Sequence, residues 1–143
     1  MTTMTDAVLM QQMGRLQLPY FVEHSPSLMA QAARESWPHG RFLEQLVAGE
    51  VARRDDALIA RRIKAARLPG IKTLDGFDWS WPKTINRSQV QHLFRLDFVP
   101  TQGNVIFLGG VGIGKTHLAI ALAHTACLAG MTAVFTTAID IVN

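Results

Sequence analysis

The sequence predicts an α/β fold in which a helical region precedes a core of alternating strands and helices. Three observations carry this prediction. Apolar residues recur at helical spacing through the first two thirds of the 143-residue chain. The apolar segment VIFLG then leads into a glycine-rich loop, and a helical run and a second apolar segment, TAVFTT, follow that loop. The predicted boundaries are 1–68 for the helical region, 69–87 for an extended linker and 88–143 for the first part of the core.

The helical region is predicted to hold three helices. Apolar residues at helical spacing from Val8 onward indicate the first. The second is expected to begin with Ser25 as its N-terminal cap and Pro26 at its first helical position. A long amphipathic helix follows over RFLEQLVAGEVARRDDALIARRIKAARL and is expected to stop at Pro69.

Composition limits the classes of protein to consider. The chain is 48% hydrophobic and 17% charged, which is typical of a globular domain, and its formal charge of +3 permits a nucleic-acid partner without requiring one. The single cysteine, Cys127, excludes an internal disulfide and is expected to be buried. The N-terminus lacks the pattern of a signal peptide, and no apolar run is long enough to cross a bilayer. A cytoplasmic protein with no membrane partner is therefore expected.

The strongest motif is GGVGIGKT, which matches the phosphate-binding pattern G-x-x-x-x-G-K-[ST] at every fixed position. Its glycines allow successive N–H groups to curl around phosphate oxygens, and the next helix adds its positive N-terminal end. Lys115 is expected to reach the β- and γ-phosphates of ATP, and Thr116 to coordinate Mg²⁺ through its hydroxyl. The predicted nucleotide site comprises Gly109, Gly110, Val111, Gly112, Ile113, Gly114, Lys115, Thr116 and His117. For the His117 side chain itself, a nearby hydrogen bond or a solvent-facing position is favoured over a catalytic role.

Asp140 is the only carboxylate after this loop. A P-loop hydrolase also needs an apolar strand that ends in an acidic residue for Mg²⁺. Asp140 follows Thr and Ala instead, where a helix is expected to begin, so we interpret it as a helix-start residue that the helix dipole favours. No catalytic residue is predicted, and ATP hydrolysis by this chain stays an open question.

Several blocks of the sequence together resemble the IstB-like ATPases, which are insertion-sequence transposition helpers of the AAA+ superfamily and relatives of the DnaC-type helicase loaders. The blocks are FLEQLVAGEVARRDDALIARRIKAAR, PGIKTLDGFDW, FLGGVGIGKTH and GKTHLAIALAHTACLAG. The resemblance implies an AAA+-like P-loop core with ATP and Mg²⁺ as cofactors. For an intact member it also implies DNA, a transposase and further copies of itself as partners. Members carry Walker B, sensor and arginine-finger residues downstream, which this sequence lacks, so hydrolysis and ring activation are not carried over.

The resemblance also predicts an incomplete core. In the AAA+ sheet the second strand, here TAVFTT, pairs with a third strand that this sequence lacks, so its backbone groups would stay unpaired. We therefore hypothesise a copy truncated after the second core strand and able at most to bind nucleotide. A DnaC-like helicase loader and a non-catalytic remnant or DNA-binding fragment are the alternatives. A small-molecule P-loop kinase is disfavoured, since nothing resembles a substrate lid.

Basic residues accumulate towards the end of the long helix, with no acidic residue between Ala57 and Leu74. Charge alone favours a solvated helix face, whereas the resemblance to DNA-handling ATPases makes contact with DNA phosphates an equal alternative. The candidate DNA contacts are Arg54, Arg61, Arg62, Lys64 and Arg67. The same resemblance favours a core-sealing or base-adjacent role for Phe77 over stacking on DNA bases, and it leaves Trp79 and Trp81 undecided.

Overall fold

The computed structural model describes residues 4–81 and 84–142, and six helices lie among them. They are α1 Met4–Arg15, α2 Pro19–Arg34, α3 His39–Ala65, α4 Arg87–Leu93, α5 Lys115–Leu128 and α6 Ala138–Val142. None of these helices combines the length and the apolar character needed to span a membrane. The chain comprises two compact units, Met1–Leu58 and Ile59–Asn143. Their boundary falls within α3, upstream of the boundary predicted at residue 68.

The first unit contains α1 and α2, which pack against each other, and most of α3. Helix α3 confirms the long helix that the sequence predicts, and it ends before Pro69. Helix α2 is a correction, because it begins at Pro19 rather than after Ser25. The fixed φ of a proline suits the first helical turn, which makes Pro19 the true start. Pro26 lies inside the helix, and Ser25 is only 1% exposed, so packing outweighs the local capping signal there.

Close packing between α2 and α3 depends on a glycine and a buried carboxylate. A Cβ at Gly49 would overlap the ring of Tyr20. The neighbouring Glu50 is 4% exposed and accepts hydrogen bonds from the Tyr20 N–H at 2.9 Å and from Arg54 Nε at 3.0 Å. Arg54 Nη2 also donates to the Gln17 carbonyl at 2.9 Å. Burial raises the pKa of Glu50, but the hydrogen bonds from Arg54 and Tyr20 outweigh it and hold that pKa below its ordinary value.

The predicted sheet is the main correction in the second unit. Within residues 4–81 and 84–142 no β-strand is formed, so neither VIFLG nor TAVFTT is a strand here. The exposure of the side chains alternates over residues 105–108. Ile106 and Leu108 are 76% and 87% exposed, whereas Val105 and Phe107 are half-buried. A strand requires a neighbouring strand to complete its hydrogen bonds, and the described segments provide none beside these two. The Phe135 N–H instead donates to the Ala66 carbonyl at 2.7 Å.

The core of the second unit forms where residues 74–79, α4 and α5 meet. Phe77, Val90 and Leu118 form a buried cluster, and half-buried side chains such as Phe107 pack against it. Helix α4 begins after Asn86, whose side chain accepts a hydrogen bond from the Gln89 N–H at 3.0 Å. The cap and the first residue of α4 thus lie at the end of the range 69–87, which the sequence predicts as an extended linker. Farther along α5, Cys127 is fully buried, as predicted.

Candidate nucleotide-binding site

The glycine-rich loop has positions at which only glycine fits. Gly109 has a φ of 151°, Gly112 of 80° and Gly114 of 89°, all positive values that residues with a Cβ rarely adopt. A Cβ on Gly109 would overlap Ile113, and a Cβ on Gly114 would lie 2.5 Å from Cε2 of Phe77. The sequence motif therefore corresponds to a loop that needs glycine for both conformation and space.

The loop ends at the N-terminus of α5, where backbone donors are concentrated. Gly114 is the N-cap residue and provides no side-chain acceptor, while its carbonyl accepts from the Leu118 N–H at 3.0 Å. The first N–H groups of a helix have no partners within the helix, and they carry its positive partial charge. This end of α5 can therefore bind an anion through its backbone.

Lys115 and Thr116 occupy the first turn of α5. The Lys115 ammonium donates to the Gly110 carbonyl, so the side chain folds back over the loop. Thr116 is exposed, and its hydroxyl is accessible at the surface of the helix. The predicted site residues 109–117 are thus contiguous along one loop and one helical turn, with a cation and a hydroxyl beside the free backbone donors.

The side chain of His117 bonds to a segment far away in sequence. Its Nε2 lies 2.9 Å from the Thr73 carbonyl oxygen, and a carbonyl can only accept, so Nε2 carries the proton. Its ring packs edge-on against Phe77, with 5.4 Å between the ring centroids. The sequence favours a hydrogen bond for this side chain over a catalytic role, and the structure shows such a bond, although its acceptor is 44 positions away in the chain. Thr73 was not singled out from the sequence, because a backbone carbonyl carries no residue-type signal.

Phe77 belongs to the buried core beside the glycine-rich loop, which agrees with the core-sealing hypothesis. It is 6% exposed and contacts Trp79 edge-on, with ring centroids 4.9 Å apart. Trp79 is half-buried and lies under the guanidinium of Arg87, whose Cζ is 4.9 Å from the ring centroid. Trp81 is 66% exposed. Within the segment predicted to be a linker, Phe77 therefore packs beside Gly114 of the loop, and Thr73 is bonded to His117 at the start of α5.

A cavity of about 420 Å³ adjoins the loop. Lys115 and Ile113 contribute to its wall together with the segment 104–108. The remaining wall combines polar side chains, including Asn86 and Gln89, with apolar ones, including Val90 and Leu93. Its volume falls within the range of small-molecule sites.

Asp140 belongs to a helix cap. Its Oδ2 accepts from the Thr137 hydroxyl at 2.6 Å and from the Thr137 N–H at 3.4 Å, while the Asp140 N–H donates to that hydroxyl at 3.3 Å. These reciprocal bonds form a capping box at the start of α6. The interpretation of Asp140 as a helix-start residue is confirmed.

The five candidate DNA contacts differ in their surroundings. Arg54 belongs to the first unit, and its guanidinium is bound to Glu50 and Gln17. Arg62 is half-buried, and its Nη1 lies 3.9 Å from the position of a Cβ built on Gly130. Arg61, Lys64 and Arg67 are exposed, and they form no ion pair with any described residue. Contact with DNA stays a prediction, and we expect it of the other four residues rather than of Arg54, whose guanidinium is already bound.

Comparison with known proteins extends the similarity well beyond the loop. The family model described as IstB-like ATP binding protein matches residues 11–143. A protein of Pseudomonas aeruginosa described as an ATP-binding protein of insertion sequence IS21 is 40% identical over 123 residues, which cover 86% of this chain and 46% of the relative. An ATP-binding protein of insertion sequence IS5376 from Geobacillus stearothermophilus is 34% identical over 129 residues, which cover 90% of this chain and 51% of the relative. The chain spans about half the length of these curated relatives.

The matched range begins within α1 and includes α3, the Phe77 segment and the phosphate loop. The similarity therefore includes the elements that surround the loop as well as the loop motif itself. The chain belongs to the family of IstB-like ATP binding proteins.

Proposed function

We propose that the protein binds ATP together with Mg²⁺ at residues 109–117 and takes part in DNA transposition as a helper. The loop backbone is the observation that carries this proposal. Three glycines with positive φ values lead into a helix N-terminus that has no side-chain cap. Relatives named as ATP-binding proteins of insertion sequences support both the nucleotide and the biological setting.

In this proposal the chain's own groups bind the triphosphate. Backbone N–H groups of the loop and of the first turn of α5 donate to phosphate oxygens. Lys115 exchanges its bond to the Gly110 carbonyl for the β- and γ-phosphates, and Thr116 provides a hydroxyl to Mg²⁺. A hydrogen bond to a charged group contributes about 1.5 to 3 kcal/mol, so the lysine alone is expected to change affinity by more than tenfold.

We propose that the chain binds the nucleotide, and we do not propose that it hydrolyses the nucleotide. The Asp140 carboxylate is hydrogen-bonded to Thr137 in its capping box, so we do not propose it as a Mg²⁺ ligand.

We also propose that VIFLG and TAVFTT become strands of an AAA+-like sheet once neighbouring strands are present. A cytoplasmic location and three partners complete the proposal: DNA, a transposase and further copies of the chain.

Calorimetric titration of Mg-ATP into the full chain tests the nucleotide site. Wild-type protein is expected to bind, and Lys115→Ala to bind at least tenfold more weakly. Lys72→Ala removes an exposed lysine outside the loop and should bind like wild type. Equal affinities for wild type and Lys115→Ala, or no heat of binding with folded wild-type protein at millimolar Mg-ATP, would reject the proposed site.

A further inference from the structure

The segment Thr73–Trp79 is attached to the phosphate loop through one side chain of α5. The hydrogen bond from His117 Nε2 to the Thr73 carbonyl, 2.9 Å long, joins residues 44 positions apart. The segment is also folded locally, since the Thr73 hydroxyl accepts from the Gly76 N–H at 3.1 Å and the Phe77 N–H donates to the Leu74 carbonyl at 3.1 Å. His117 therefore holds one end of a short, ordered turn.

The other end of that turn contacts the loop itself. The Phe77 ring occupies the space beside Gly114, where a Cβ would lie 2.5 Å from Cε2. Gly114 has a φ of 89°, and it is the N-cap of the helix whose first N–H groups would donate to phosphate. The Phe77 ring therefore packs directly against the Gly114 backbone, in a space that a side chain at position 114 would occupy.

We propose that His117 is a positioning residue for the nucleotide site, an inference that rests on the proposed function. Its ring holds Thr73–Trp79 against the loop, which keeps Phe77 beside Gly114 and keeps the loop in the conformation that binds the triphosphate of a nucleotide. The side chain of His117 contributes to affinity through this contact and does not itself touch the phosphates. Since coupling between two sites is reciprocal, a bound nucleotide also tightens the attachment of Thr73–Trp79.

Three substitutions of His117 separate its hydrogen bond to Thr73 from its packing against Phe77. Gln places an amide N–H near the position of Nε2 and keeps the bond to Thr73. Phe keeps the packing against Phe77 but has no donor, and Ala removes both. We expect Mg-ATP affinity to fall about tenfold in His117→Ala, to fall by a similar or smaller factor in His117→Phe, and to stay within about threefold of wild type in His117→Gln.

His124 provides the matched control. It is half-buried on the same helix, two turns after His117, and its side chain makes no hydrogen bond to any described residue. His124→Ala should leave Mg-ATP affinity unchanged. Equal losses in His117→Ala and His124→Ala would show a general effect of altering α5 and would overturn the proposal. A loss in His117→Gln as large as that in His117→Ala would overturn it as well.

The fluorescence of Trp79 reports on the attachment itself, in a background of Trp37→Phe and Trp81→Phe that leaves one tryptophan. Trp79 contacts Phe77 directly, so detachment should raise its quenching by acrylamide at least twofold in His117→Ala but not in His117→Gln. This measurement needs no nucleotide. If wild type does not bind Mg-ATP while quenching follows the expected order, the proposed function fails and the attachment by His117 stands. If quenching is the same in all variants, the attachment is refuted whatever the nucleotide data show.

Discussion

The two units of this chain use their polar groups in opposite ways. In the first unit, Glu50 accepts from the Tyr20 N–H and from Arg54, and Arg54 also donates to Gln17, so a buried charge and its partners satisfy one another. In the second unit, Gly114 opens α5 without any side-chain acceptor for the first N–H groups. A closed network stabilises a fold, whereas donors without an internal acceptor are suited to a ligand. The comparison separates a structural region from a candidate binding region within one short chain.

The largest expected effect tests the packing that supports the binding region. Phe77→Ala removes a 94% buried ring that packs against Gly114, His117 and Trp79, and it should lower the free energy of unfolding of the second unit by about 3 to 5 kcal/mol. Amide hydrogen exchange measures this loss in α5. Trp81→Ala is the matched control, because Trp81 is 66% exposed and should cost little. Similar losses in both variants would show that Phe77 does not support the loop.

An acid titration tests the closed network of the first unit. Because the pKa of Glu50 lies below its ordinary value of 4.5, the ionised group stabilises the fold above that pH, and this stability is lost as the pH falls through the lowered pKa. Glu50→Gln should therefore be less stable than wild type at pH 7, and the difference should shrink as the pH falls below the ordinary pKa of 4.5 and through the lowered pKa of Glu50. Denaturant unfolding at each pH, followed by circular dichroism, provides the measurement.

Glu44→Gln is the control for this titration, since Glu44 lies exposed on the same helix. It should remain close to wild type across the range. A stability difference for Glu50→Gln that does not change with pH would show that the charge of Glu50 is unimportant.

The smallest expected effect is on the salt dependence of DNA affinity, and it compares basic residues of the second unit with Arg54 of the first. If Arg61, Arg62, Lys64 and Arg67 each neutralise one DNA phosphate, log affinity should fall against log salt with a slope of about −3.5. Arg61→Ala should reduce the magnitude of that slope by about one. Arg54→Ala should leave the slope unchanged, because its guanidinium is occupied by Glu50 and Gln17. DNA affinity measured between about 50 and 200 mM salt by fluorescence anisotropy tests this. A flat dependence would remove the DNA contact.

Local signals in the sequence predict much of this molecule. The helix α3 and the glycine-rich loop are both predicted from neighbouring residues, and the structure contains both, although Leu43, Val47 and Val51 of the predicted apolar face are exposed. The role of Asp140 at the start of α6 could also be predicted from neighbouring residues, because a capping box involves only two residues three positions apart. The start of α2 was predicted wrongly from a local signal, since the packing around Ser25 overrides the capping signal of Ser25 and Pro26.

Long-range partnerships could not be predicted in the same way. The Arg54 bond to Gln17 joins residues 37 positions apart, and the His117 bond to Thr73 joins residues 44 apart. Both acceptors are backbone carbonyls, which every residue type possesses. The sheet could not be predicted from local residues alone, since the apolar run VIFLG forms a strand only when a neighbouring strand completes its hydrogen bonds.

Amide hydrogen exchange with and without saturating Mg-ATP tests the central claim most directly, because it reports on backbone donors in both units at once. We predict that Mg-ATP slows exchange at residues 110–117 and, through His117 and Phe77, at residues 73–79. Residues 17–54 of the first unit should exchange at the same rate in both conditions. Slower exchange confined to the first unit, or no change at residues 110–117 under conditions in which nucleotide is demonstrably bound, would contradict the assignment of the nucleotide site to this loop.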